Sequence, residues 1–89
     1  MEKIEEKLKK LSEKNIKIID EVLKNLEIIK ENKIIEMAKK YYEDSKYFYE
    51  KSDYVNSFEA IVISWAYLDA CLHLGLIKVN EKFKNYFTF

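Results

Sequence analysis

The stretch "YLDACLHLG", residues 67–75, sets an acid, a thiol and an imidazole within five positions: Asp69, Cys71 and His73. On a loop these three could converge on a substrate or a metal. On a helix, residues four apart share a face, whereas residues two apart point about 200° from each other. Asp69 and His73 would then stand together and Cys71 would point away from both. The surroundings decide for the helix. Apolar residues dominate from Phe58 to Leu74, no proline interrupts them, and Gly75 suits the left-handed residue that closes helices.

Working outward, Ser52 or Asp53 can cap this third helix, placed at Tyr54 to Leu74. One arc carries Phe58, Ile61, Val62, Trp65 and Leu72, and the opposite arc Ala60, Ile63, Tyr67, Ala70, Cys71 and Leu74. A helix apolar on both sides is central to its bundle or covered by a second subunit. Asn32 can cap a second helix, Lys33 to Lys51, with a stripe of Ile34, Met37, Ala38, Tyr41, Ser45 and Phe48. Ala38 and Ser45 are small enough for another helix to approach closely. Tyr47 falls on the polar side.

The first helix is placed at Glu2 to Glu31. Ile4, Leu8, Leu11, Ile18, Ile19, Val22, Leu26 and Ile29 recur every three or four positions. Asn15 lies within that stripe as a partly wet position. The tail, residues 76–89, carries Leu76, Ile77, Val79, Phe83, Tyr86, Phe87 and Phe89 and should dock. Asn80 could cap a short helix there, while "NYFTF" has strand propensity. Connections of one or two residues imply antiparallel neighbours. The expectation is all-α: an up-down-up three-helix bundle with a short aromatic tail, one domain over residues 1–89.

Composition narrows the function. Sixteen bases, every one lysine, balance sixteen acids. The chain as a whole exerts no pull on nucleic acid or anionic lipid, and it lacks the arginine fork that grips phosphate or guanine. That argues against nucleic acid; a case for RNA rests on Lys46 and Tyr47 alone. No apolar run is long and uncharged enough for a membrane span. One cysteine, and a charged N-terminal stretch without a signal-peptide core, lead us to expect a cytoplasmic protein. The abundance of Lys, Glu, Ile and Tyr without glutamine is thermophile-like.

Catalytic and metal motifs are missing. There is one histidine, one cysteine and no Glu-x-x-His pair, and a single glycine cannot build a phosphate loop. No cofactor is expected, and Cys71 reads as a small buried apolar residue. Asp69 stays of interest, since a buried carboxylate needs donors or water. Counting helical rise places it level with the start of the second helix, near Lys30, Asn32, Lys33 and Lys39. Asp69, His73, Lys33 and Asn32 are therefore the candidate polar cluster, read first as a structural clasp. The same count leaves about ten residues of the first helix overhanging, with Ile4, Leu8 and Leu11 as a candidate interaction surface.

Residues 38–75 carry a family likeness in Ala38, the Tyr41–Tyr42 pair, Asp44, Tyr47–Phe48, Asp53–Tyr54, Ala60, and Leu68–Asp69–Ala70 ahead of Leu74–Gly75. The segment resembles the archaeal family named domain of unknown function 357. Ser52, Ala66 and Cys71 stand where that family commonly has glycine. The resemblance implies a small helical bundle of unknown biochemical role and transfers no catalytic residue. A fainter likeness of "YFYEKSDYVNSFEAI" to tetratricopeptide and HEPN hairpins stops short: only one hairpin is present, and without arginine the HEPN ribonuclease motif is absent.

The functional expectation is a non-enzymatic helical module with a protein partner, or a homo-oligomer. The alternative is a small-molecule or nucleotide-binding bundle, ligand unknown, with a polar pocket near Asp69 and His73.

Overall fold

The computed structural model describes residues 3–87. Its elements run α1 (Ile4–Asn25), β1 (Glu27–Ile28), α2 (Lys33–Glu50), α3 (Tyr54–His73), β2 (Ile77–Lys78) and a 3₁₀ helix, Glu81–Tyr86. The protein is all-α, an up-down-up three-helix bundle with a short aromatic tail. The expected helix start at Glu2 and the apolar Phe89 lie outside the described residues.

The largest departure from the sequence reading is the end of the first helix, at Asn25 instead of Glu31. Leu26 and Ile29 continue the helical spacing, but the backbone from Glu27 to Lys30 has another partner. Glu27 pairs with Lys78 and Ile28 with Ile77 in an antiparallel ladder. The N–H groups of Ile29 and Lys30 both donate to the Leu76 carbonyl, at 2.9 and 3.2 Å. The connection to α2 is accordingly not a one- or two-residue turn but a seven-residue crossing, 26–32, that ties the tail down. Two β-branched residues at 28 and 29 suit that extended path.

Both ends of the α2–α3 hairpin are closed by capping. Asn32 Oδ1 accepts from the Ile35 N–H at 2.9 Å, and Asp53 Oδ1 from the Asn56 N–H at 3.2 Å. α3 ends in a Schellman pair: the Leu76 N–H reaches the Cys71 carbonyl and the Gly75 N–H that of Leu72. Gly75 has φ +73°, and a Cβ there would meet open space, so its left-handed backbone alone favours glycine. α2 ends the same way, with Asp53 N–H to Phe48 and Ser52 N–H to Tyr49. Here the left-handed position is held by Ser52, φ +61°. A side chain is strained in that region, so Ser52→Gly is expected to stabilise the fold by about 0.5–1 kcal/mol. Thermal melts check this; an unchanged or lower melting temperature would mean the serine carries a compensating contact.

α3 lies against both other helices and most closely against α2. The contact is made by small residues. Ser45 Oγ donates to the Ser57 carbonyl at 2.7 Å, Ser57 Oγ donates back to the Ser45 carbonyl at 2.9 Å, and Ser64 Oγ donates to the Ala38 carbonyl at 2.6 Å. A hydroxyl one bond from Cβ spans the gap, so the two backbones run close. The core around this seam holds Ile19, Val22, Ile35, Ile61 and Leu68, closed at one end by Ile77, Val79, Phe83 and Phe87 of the tail. Asn80 does cap the tail's short helix, accepting from the Lys82 N–H at 3.1 Å. The tail's strand is Ile77–Lys78, ahead of that cap. Trp65 Nε1 donates to the Tyr86 carbonyl at 2.9 Å, with its ring against Tyr86 and Phe87. Among the described residues no helix is long and apolar enough to cross a membrane.

Candidate functional site

α3 is continuous through His73, so the triad of letters in the opening stretch is split. Cys71 is fully buried, and burial pushes its thiol pKa up, which keeps it protonated and a poor nucleophile. Its Sγ faces Asn32 Oδ1 at 3.7 Å. One contact between α3 and the start of α2 thus runs through Cys71. Asn32 also accepts from the Ile35 N–H, and its amide nitrogen donates to the Lys30 carbonyl at 2.8 Å, so one of its three bonds reaches α3 and two are local. Lys33 is exposed at the first position of α2, Asp69 is half-buried and His73 is exposed. Asn32 therefore joins the buried side of α3, while Asp69 and His73 stand on its outer arc. Among the described residues no group of three or more His, Cys, Asp and Glu could hold a metal ion.

At the opposite end of the bundle, Ser12 Oγ donates to the Tyr54 carbonyl at 3.4 Å, which sets the first residue of α3 level with Ser12. Residues 4–11 project past that level. Ile4 is 79% exposed, while Leu8 and Leu11 are half-buried. A cleft of about 240 Å³ runs from Ile4 and Leu8 to Ser52, Asp53, Tyr54 and Val55. The α2–α3 turn partly covers this end of α1.

Between α1 and α2 runs a groove of about 430 Å³ that includes Asp20, Tyr42, Lys46, Tyr49 and Glu13. Tyr42 donates its hydroxyl to Asp20, and Tyr49 donates to Glu13 Oε1 at 2.8 Å. The bond from Tyr42, reinforced by Lys24 at 2.9 Å, holds the Asp20 carboxyl below its usual pKa. Burial, with the Asp20 bond added, lifts the Tyr42 phenol far above its ordinary value. Tyr49 is pushed up to about 12 by burial and then by Glu13. Lys46 lies 4.5 Å over the Tyr42 ring. The two tyrosine hydroxyls thus bond across the seam between α1 and α2.

The outer arc of α3 differs. Its buried arc is Ser57, Ala60, Ile61, Ser64, Leu68 and Cys71. Turning half a circle away brings Val55, Glu59, Val62, Ala66 and His73, all exposed, with Ile63 and Ala70 half-buried beside them. Val55 is 62% exposed and Val62 47%. Beside this arc, toward α1, Phe58, Val62, Trp65, Ala66 and Asn15 line an apolar groove of about 290 Å³. Asn15 bonds back to its own helix, its amide donating to the Leu11 carbonyl at 2.8 Å. Three ionisable side chains stand on this outer arc: Glu59 and His73, both exposed, and the half-buried Asp69 at its edge.

Ala38 and Ser45 could be read as small contact residues from sequence; their partners Ser57 and Ser64 are missing from that reading. The signal was available, since Ser57, Ser64 and Cys71 are seven apart, two helical turns, on one line.

The family model described as "Protein of unknown function (DUF357)" matches residues 1–77. The chain is similar to a protein of Archaeoglobus fulgidus, known from a crystal structure and assigned to the same family model. The two share 32% identity, with a TM-score of 0.79, over 88% of this chain and 100% of the other. No curated protein matches.

Proposed function

We propose that this chain, which belongs to the DUF357 family, works as a non-enzymatic helical module that binds protein through the outer face of α3. The observation that carries the reading is the exposed run of Val55, Val62 and Ala66 on a helix whose other side already forms the core. Contiguous exposed apolar surface is costly in water and marks contact sites in folded proteins. A cytoplasmic setting belongs to the same reading, because the one thiol is buried and needs no oxidising compartment.

The test is Val62→Glu. It places a carboxylate in the middle of the face at an exposed position, so the fold should keep its helical circular dichroism. Association, followed by light scattering for self-contact and by pulldown from native extract for other proteins, should weaken about tenfold or more. Unchanged association in both assays would remove the outer face from the mechanism.

A second reading, a small-molecule-binding bundle, is favoured by the tyrosine-lined groove between α1 and α2, with its cationic Lys46 and Lys17. Thermal shifts across a metabolite panel, abolished by Tyr42→Phe, would support it over the first.

A further inference from the structure

We infer that the outer face of α3 receives the same face of a second copy, packed antiparallel about a two-fold axis through Ala66. This rests on the reading of that face as a protein-binding surface and specifies its occupant.

The face is symmetric about Ala66 in position and complementary in chemistry. Four positions before Ala66 stands Val62, and four after it Ala70; seven before stands Glu59, and seven after it His73. Four and seven are the helical intervals that return to one face. An antiparallel second α3 with its Ala66 against this one therefore sets Val62 against the partner copy's Ala70, and Ala70 against its Val62. Bulk meets a small residue on both sides of the axis. Ala66 meets its own copy, which allows the backbones to close to the short end of the 8–10 Å range of packed helices. The same device, small side chains at a close crossing, already joins α2 to α3.

Charge selects the direction. In the antiparallel arrangement each Glu59 carboxylate faces an imidazole of the other copy, once on either side of the axis, and the imidazole N–H can donate to it. A parallel pairing would set Glu59 against Glu59 and lose both contacts. A two-fold contact also closes on itself, so it yields a dimer and not a fibre. From Glu59 to His73 the seam is only about 21 Å long. That is short for a permanent interface, so a reversible, concentration-dependent dimer is expected.

Charge reversal tests the pairing on the full chain. Sedimentation across a concentration series should show the parent in monomer–dimer equilibrium. Glu59→Lys alone, and His73→Glu alone, should each weaken the dimer about tenfold or more, since each sets like charges or unmatched groups against one another twice. The double variant Glu59→Lys with His73→Glu should restore association to about threefold of the parent, because each lysine now faces a glutamate. Rescue establishes the antiparallel register. A dimer indifferent to all three variants overturns it. A parent that stays monomeric at every concentration, yet captures a different protein in a manner lost on Val62→Glu, overturns self-pairing while the reading of the face stands. A monomeric parent with capture unaffected by Val62→Glu overturns both.

Discussion

Ile61→Ala is expected to lower the stability of the fold by about 3 kcal/mol, the cost of emptying a fully enclosed branched side chain. Ile61 has no exposed surface and belongs to the core with Ile19, Val22, Ile35 and Leu68. It lies on the α3 arc that also carries Leu68, seven residues on. Removing its three outer carbons leaves a void that three rigid helices can collapse into only partly. A domain of this size has a total stability on the order of 5–10 kcal/mol, so the loss is a large fraction of it. Each kcal/mol moves the melting temperature of a small domain by about 4–8 °C, so the shift should be on the order of 10–20 °C. Urea unfolding and thermal melts read it directly. A loss below about 1 kcal/mol would mean that the site is wet or that the helices re-close over it.

Ser64→Leu should be comparably damaging, for the opposite reason. Ser64 is fully buried where α2 and α3 run closest, its hydroxyl 2.6 Å from the Ala38 carbonyl. The larger side chain has no room unless the helices part, and parting them also strains the reciprocal bonds between Ser45 and Ser57. Overpacking costs about 1–3 kcal/mol and the lost hydrogen bond about 1 kcal/mol more. Ser64→Ala isolates the second contribution and should cost only about 1 kcal/mol. If the two variants unfold at the same denaturant concentration, volume does not limit this crossing. The pair of variants thus separates the hydroxyl's role from that of its size.

The candidate sites were legible to different depths. That α3 is greasy on both flanks is plain from residues 58–74, and the exposed Val55 and Val62 are the visible result. Which arc would be left open could not be read, because Phe58, Ile61 and Val62 are equally apolar as letters. Packing against α1 and α2 decided it. Asn32 shows a similar limit. Its capping role is a local matter and could be foreseen, but its contact with Cys71 depends on the height at which two helices meet. Estimated heights pointed to Asp69, and nothing in the helical count singled out Cys71, whose thiol meets the Asn32 amide oxygen.

Sequence by itself determined what local chemistry determines. The absence of proline and the single glycine left room for little but long helices. The 3.6-residue spacing drew part of the buried lines of α1, through Ile19 and Val22, and of α2, through Ala38 and Ser45, and Asn32, Asp53, Asn80 and Gly75 marked ends, because a cap is set by residues within one turn of it. Tertiary structure decided where α1 stops. Leu26 and Ile29 keep the helical spacing, but the strand at Ile77–Lys78, some fifty residues away, offers Glu27 and Ile28 between them a competing ladder. It also decided which arc of α3 meets solvent. Both outcomes depend on contacts between segments distant in the chain, and a residue's own letter is the same in either state.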